Sequence, residues 1–178
     1  MRIAYLSGVF VMAGALSVSA QPQPGSNPIS AAMQSGWTTV RNYIRQSAEL
    51  MPDANYSFRP ADSVRTFGQI LAHVAGANYE FCAAAKGEKS PFGEADLETT
   101  AKTRAQIIKA VNDSLAYCDG AYNSMNDRRS AEAIDLPFGM GKAARAGALM
   151  MNTAHVNEHY GNLVTYFRIK GIVPPSSR

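Results

Sequence analysis

Start and stop signals for four long helices constrain the fold of this chain most strongly. Thr66 and Gln69 form a capping box, in which each side chain can satisfy a backbone N–H of the other residue. Thr103 and Gln106 repeat the pattern, and Gly87 is a natural residue to follow the end of the second helix. The four helices are expected to cover about residues 29–51, 67–86, 104–125 and 142–170.

The segments between these helices are rich in proline, glycine and aspartate, and they contain almost no alternating strand pattern. In the first helix, apolar residues recur at the 3,4 spacing of an amphipathic helix, at Met33, Trp37, Val40, Ile44, Ala48 and Met51. The predicted class is therefore all-α, and the predicted architecture is a four-helix bundle.

The positions of the two cysteines indicate how the second and third helices are arranged. Cys82 lies about 15 residues into the second helix, and Cys118 lies about 14 residues into the third. Parallel helices would place both at the same height, and the long link 87–103 could span one bundle length as a crossover at about 3.3 Å per residue. We therefore predict parallel second and third helices and a Cys82–Cys118 disulfide. The alternative is a pair of free, buried thiols.

The first 20 residues have the composition of a secretory signal peptide. A single basic residue, Arg2, precedes an apolar stretch that ends in small residues, with cleavage expected after Ala20. Residues 21–28 are proline-rich and polar, so we expect a disordered leader there, followed by a bundle domain over 29–178. The mature protein is expected to be exported, periplasmic or secreted, with no stable membrane insertion.

Charge argues against nucleic acid as a partner. The chain has 17 Lys and Arg residues against 14 Asp and Glu residues, and removal of residues 1–20 takes away one further positive charge. No basic cluster is interleaved with aromatic residues, as nucleic-acid surfaces require. We therefore expect a small-molecule substrate of unknown identity. Since bundles of this type often dimerise, the sequence leaves open a homodimer.

The three histidines of the chain lie on two predicted helices. His155 and His159, spaced i,i+4, project from one face of the last helix and can bind one metal ion, while His73 lies on the second helix. A histidine in an apolar helix is otherwise a hydrogen-bonded core residue, yet three buried imidazoles need many partners. The helix-4 face that carries the pair is expected to comprise Ala148, Met151, His155, His159, Asn162, Tyr166 and Ile169.

Two carboxylates lie close to these histidines in sequence. Glu80 follows His73 by seven residues, and Glu158 directly precedes His159. Either could orient a histidine or act as a general base in catalysis, although both are also typical of ordinary solvent-facing helix positions.

Three segments resemble the DinB/YfiT-like family: RTFGQILAHVAGANYEFC, HVNEHYGNLVTYFR and GIVPP. The resemblance extends over residues 29–178. It implies a four-helix bundle with a parallel middle pair and a site for one divalent ion, usually Zn or Ni, with His73, His155 and His159 as ligands. The name is shared with a DNA polymerase, but the resemblance carries no polymerase chemistry.

The first functional hypothesis is a metal-dependent hydrolase with an open coordination position. The second is a metal-dependent thiol S-transferase, which some members of the superfamily resemble, although the thiols concerned are cytosolic and this chain carries an export signal. The remaining alternatives are a non-catalytic module that binds metal or a small ligand, and a metal that only stabilises the bundle.

Overall fold

A computed structural model describes residues 26–93 and 96–178. The predicted signal peptide 1–20 lies outside these residues, as does most of the leader 21–28, although Pro28 already lies in the first helix. The helices are α1 Pro28–Leu50, α2 Phe67–Lys86, α3 Leu97–Thr100, α4 Arg104–Asn123, α5 Asp127–Ser130 and α6 Arg145–Ile169. Two short strands are β1 Ala133–Asp135 and β2 Lys142–Ala144, and 3-10 turns span Asp53–Asn55, Pro137–Gly139 and Pro175–Ser177.

The four long helices correspond to the four that the sequence predicts. Both capping boxes form, with the Gln69 N–H donating to Thr66 Oγ1 at 3.2 Å and the Gln106 N–H to Thr103 Oγ1 at 3.2 Å. Gly87 follows α2 with φ +79°, a left-handed conformation that a residue with a side chain rarely adopts. Within the described residues, no helix is long and apolar enough to span a membrane.

The order of contacts shows that α2 and α4 run parallel. Three pairs of neighbouring residues have numbers that increase together along both helices: Gly68 with Ile107, Asn78 with Ser114, and Cys82 with Cys118. Helix α6 runs antiparallel to α2, since Phe67 packs on Phe167 and Arg145 donates to Ala85 O. The link between α2 and α4 is therefore the predicted crossover along the length of the bundle.

The predicted disulfide is present. The Cα atoms of Cys82 and Cys118 are 5.3 Å apart, the bridge joins positions 36 residues apart, and both residues are completely buried. The side-chain amide of Asn152 on α6 lies 3.7 and 3.8 Å from the two sulfurs. The bridge thus fastens the parallel pair about three-quarters of the way along both helices, where α6 packs against it.

The buried face of α6 differs from the predicted one. The deeply buried positions are Ala148, Leu149, Asn152, Val156, Leu163 and Phe167. Of the predicted face, Ala148, His159 and Tyr166 are buried, whereas Met151 is 36% exposed and Ile169 is 54% exposed. The side of α6 that carries His155 and His159 is therefore turned partly towards solvent, next to the most buried side of the helix. A helix with apolar residues on both faces has no single stripe that the sequence can identify, which explains the difference.

The segment before α6 also differs from the prediction. Residues expected to form a connection and the first turn of the last helix instead form an antiparallel hairpin, in which Ala133 pairs with Ala144 and Asp135 with Lys142. Helix α6 begins at Arg145, whose backbone N–H donates to Glu132 O at 2.7 Å. Three-residue strands contain too few alternations for the sequence pattern to reveal them.

Asp127 of α5 caps the start of α1 from nearly 100 residues away. Its carboxylate accepts hydrogen bonds from the backbone N–H groups of Ile29 at 3.2 Å and Ser30 at 2.8 Å, while Asn27 supplies no side-chain cap. These bonds, led by that of the Ser30 backbone, hold the pKa of Asp127 below its usual value.

We expect Asp127→Ala to lower the melting temperature, because it leaves the first N–H groups of α1 without an acceptor. The lowered pKa makes the contribution of Asp127 fully present above the pKa of the unfolded carboxyl, and the contribution is lost as pH falls through the lower folded pKa. The difference in melting temperature between wild type and Asp127→Ala should therefore shrink on acidification. Asp62→Ala, at an exposed aspartate in a loop, is the matched control. Equal melting temperatures for all three proteins near neutral pH would contradict the capping role.

Candidate metal centre

The antiparallel packing of α2 against α6 brings the three histidines together. His155 and His159 project from successive turns of α6, and His73 faces them from α2. The centroid of the His73 ring is 5.0 Å from that of His155 and 4.8 Å from that of His159. Residues 82 positions apart in sequence thus form one cluster.

The ring nitrogens of this cluster point towards a common centre. His155 Nε2 lies 3.1 Å from His73 Nε2 and 3.1 Å from His159 Nε2. One potential ligand nitrogen from each of the three residues lies within 4.8 Å of the others. In a tetrahedral zinc site with Zn–N bonds of 2.0–2.1 Å, ligand nitrogens would be about 3.3 Å apart. Two of the nitrogen–nitrogen distances in the cluster are therefore close to those of a zinc site, and the third is at most 4.8 Å.

The hydrogen-bond partners of the rings also favour binding of a cation. Glu98 Oε1 lies 2.9 Å from His73 Nδ1, and a carboxylate can only accept, so a neutral His73 carries its proton on Nδ1 and offers a lone pair at Nε2. His155 Nε2 faces two other Nε2 atoms, and a single N–H there cannot satisfy both neighbours well. A metal ion that accepts all three lone pairs resolves this conflict, and imidazole suits Zn, Ni, Fe or Cu.

The pKa values favour neutral imidazoles. Burial lowers the pKa of His155 to about 4, assisted by the nearby His159 and His73. Burial, followed by the charge of His73, also lowers the pKa of His159. Near neutral pH these two rings are unprotonated, which is the form that binds a metal.

Glu98 is the site residue that the sequence analysis missed. It lies on the short helix α3 within the crossover, where Asp96 caps the helix by accepting from the Glu98 N–H at 2.8 Å. Its second oxygen accepts from Arg65 Nε at 2.9 Å. Burial opposes ionisation of Glu98, but Arg65 and His73 outweigh it, so the pKa of this carboxyl is below its usual value. The only sequence clue was an acidic residue after a possible Asp cap, which is too common to single out.

Glu80 and Glu158 lie near the cluster without holding a ring nitrogen. Half-buried Glu80 lines one side of it and exposed Glu158 lines the other, and the carboxylate that hydrogen-bonds a histidine among the described residues is Glu98. The carboxylate that orients a histidine is thus Glu98, and not Glu80 or Glu158 as the sequence suggested. Their suggested role as a general base stays a prediction.

Two clefts flank the cluster, and Glu98 lines both. The first, called here the Arg65 cleft, has a volume of about 740 Å³ and is bounded by Arg65, Glu158, His159 and Asn162, among others. The second, the Phe138 cleft, has a volume of about 400 Å³ and is bounded by His73, Glu80, Phe92, Asp96 and Phe138, among others. A ligand bound in either cleft would lie beside a histidine of the cluster.

The chain belongs to the DinB superfamily, whose sequence profile matches residues 37–163. That match includes all three histidines, both cysteines and Glu98. The family and its helical-bundle fold, which the sequence motifs predicted, are therefore confirmed.

Similar proteins include one recognised by sequence and two recognised by structure. The uncharacterized protein YjoA of Bacillus subtilis is 27% identical over 139 residues, covering 74% of this chain and 84% of YjoA. YfiT from Bacillus subtilis, described as a probable metal-dependent hydrolase with an unusual four-helix bundle topology, is 16% identical, with a TM-score of 0.56 over 86% of this chain and 94% of YfiT. The mycothiol-dependent maleylpyruvate isomerase is 15% identical, with a TM-score of 0.63 over 75% of this chain and 60% of the isomerase. The likeness to the two structures establishes the fold.

We expect Glu98→Ala to weaken zinc binding by about 10- to 100-fold, because a ligating histidine loses the carboxylate that fixes its tautomer and orientation. The dissociation constant should be measured by competition with a chromogenic chelator. Glu80→Ala is the matched control, since it removes a carboxylate from the same cleft without touching a ring nitrogen. Equal effects of the two substitutions would contradict a specific role for Glu98.

Proposed function

We propose that this protein is an exported metal-dependent hydrolase with one divalent ion, zinc or nickel, bound by His73, His155 and His159. The observation that carries the proposal is the convergence of three Nε2 atoms, two of the distances being 3.1 Å, beside two clefts. Three protein ligands leave a position of a tetrahedral ion open, which is typical of catalytic rather than structural zinc sites.

In this proposal each residue of the site has a separate role. The three imidazoles would hold the ion, and Glu98 fixes the tautomer of His73. When bound, the ion would supply Lewis-acid polarisation of a carbonyl or phosphoryl group. The placement of Glu158 and Glu80 in the linings of the two clefts supports a role for either one in accepting a proton from water.

The comparisons support the same class of reaction. YfiT, with the same fold, is described as a probable metal-dependent hydrolase. Membership of the DinB superfamily, together with the three-histidine cluster, makes this the most economical function for the site.

Export is supported by two features. Residues 1–20 have the pattern of a secretory signal peptide, and disulfides such as Cys82–Cys118 persist mainly in oxidising compartments. Fractionation of cells expressing the full chain should find the processed protein outside the cytoplasm. Recovery of unprocessed protein in the cytoplasm would contradict export.

The experiment that tests the function combines metal analysis with activity. Protein purified without chelators should contain about one zinc or nickel ion per chain, and it should hydrolyse at least one member of a panel of activated esters, amides and phosphoesters. Chelation should abolish that activity, and the metal should restore it. Hydrolysis that survives complete metal removal would overturn the proposal. Bound metal with no turnover across the panel would favour the non-catalytic module.

A second candidate is a metal-dependent thiol S-transferase, supported by the likeness in fold to the mycothiol-dependent isomerase. It predicts conjugation of a low-molecular-weight thiol to an electrophile, dependent on the metal. If such conjugation is fast and hydrolysis is absent, the transferase replaces the hydrolase.

A further inference from the structure

We propose that Phe138 and Phe92 select the substrate, and that the Phe138 cleft accepts an uncharged aromatic group of the molecule acted on at the histidine cluster. This inference rests on the proposed function, and it adds the class of substrate that the site would take.

Two phenylalanine rings border the cleft from different parts of the chain. Phe138 lies at the tip of the β1–β2 hairpin and is 65% exposed, whereas Phe92 lies in the crossover and is 37% exposed. Phe92 stacks on Tyr79 of α2 with ring centroids 5.3 Å apart, so its ring is held in position. Aromatic side chains that remain open to solvent at the rim of a cleft leave apolar surface that a ligand can cover.

The backbone holds Phe138 in place at a cost. Its φ of +57° lies in the left-handed region, which is rare for a bulky residue. The turn around it is fixed by hydrogen bonds from the Leu136 N–H to Gly141 O at 2.8 Å and from the Met140 N–H to Pro137 O at 3.2 Å. An exposed ring on a strained backbone contributes little to folding, and strain of this kind is characteristic of ligand-contacting positions.

A chain of ring contacts connects Phe138 to the histidines. The Phe138 ring packs edge-on against buried Phe81, with centroids 5.5 Å apart, and the Phe81 ring lies 6.1 Å from that of His155. His73 itself lines the cleft. An aromatic group between Phe138 and Phe92 would thus lie beside His73 of the cluster.

The charges around the cleft determine which groups it can accept. Among the residues that the structure describes, its lining includes the carboxylates of Glu80, Asp96 and Glu98 and no Lys or Arg residue. A negatively charged group held in this cleft away from the metal centre would meet the carboxylates of Glu80 and Asp96, which is destabilising at close range. The occupant that fits is therefore an uncharged ring.

The test uses hydroxamates, which bind open metal positions, on the zinc-loaded mature protein. We expect benzohydroxamate to bind about tenfold or more tightly than acetohydroxamate, because the ring buries apolar surface on Phe138 and Phe92. A carboxylate at the 4-position of the ring should remove most of that preference. Isothermal titration calorimetry gives each dissociation constant without requiring any activity.

Variants assign the preference to the cleft. Phe138→Asn should reduce the ratio of the two affinities to within about threefold, and asparagine tolerates the left-handed backbone. Phe92→Ala should act in the same direction. Val173→Ala, at an apolar position 52% exposed outside the cleft, should leave the ratio as in wild type.

The outcomes separate this inference from the proposed function. Equal wild-type affinities for the two hydroxamates, or a preference that survives both phenylalanine substitutions, would overturn the aromatic selection alone. Failure of both zinc and nickel to bind at the cluster would overturn the proposed function and this inference with it. Tighter binding of the 4-carboxylate would show that the cleft selects an anion, contrary to the inference.

Discussion

His155→Ala is expected to lower the affinity for zinc by more than about 100-fold, because loss of a ligand should exceed the 10- to 100-fold cost of losing a residue that only orients one. His155 is the central member of the cluster, with its Nε2 3.1 Å from both of the others. Its removal leaves two histidine ligands, His73 and His159. The affinity should be measured by chelator competition, and the metal content of purified protein by elemental analysis.

Metal binding should also be visible as stability. Zinc at 100 times its dissociation constant should stabilise wild type by about 2.7 kcal/mol, and the same zinc concentration should have much less effect on His155→Ala. Met151→Ala is the matched control, since Met151 lies one turn earlier on α6, is partly exposed and offers no nitrogen ligand. Wild-type zinc affinity in His155→Ala would exclude this centre as the metal site.

Removal of the Cys82–Cys118 bridge is expected to lower the free energy of unfolding by about 3–4 kcal/mol. The estimate follows from the 36-residue separation, since a crosslink restricts the unfolded chain more as the closed loop lengthens. The double variant Cys82→Ala/Cys118→Ala should therefore unfold at a clearly lower urea concentration than wild type.

Urea unfolding of oxidised wild type, reduced wild type and the double variant separates the crosslink from packing. Reduction keeps both buried sulfur atoms, so it should account for most of the decrease in the free energy of unfolding. The further decrease in the double variant measures the packing lost with the two sulfur atoms. Titration under denaturing conditions without reductant should find no free thiol in wild type. A loss below about 1 kcal/mol on reduction would contradict the proposed contribution of the crosslink.

Local chemistry explains which features could be predicted from the sequence. The capping boxes at Thr66 and Thr103 involve residues three positions apart, so the starts of α2 and α4 could be found directly. Equal depths of Cys82 and Cys118 in their helices indicated the parallel pair. The apolar face of α1 was also clear, since Trp37, Val40 and Ile44 recur at helical spacing and are buried.

Features that depend on distant contacts could not be predicted. Asp127 caps a helix nearly 100 residues before it, and Glu98 meets His73 only because the crossover returns along α2. The hairpin that carries Phe138 has strands of three residues, too short for a pattern. For the histidines, spacing indicated the pair on α6, whereas the position of His73 opposite them required the helix packing.

The rotation of the histidine face away from the most buried side of α6 has a consequence for how such proteins diversify. Val156, Leu163 and Phe167 hold the bundle together, while His155 and His159 lie along the edge of that packed side. Substitutions at the edge can change ligands, metal preference or neighbouring cleft residues without opening a hole among the interior side chains. A single scaffold can in this way acquire different chemistries over evolutionary time while its stability is maintained by other residues.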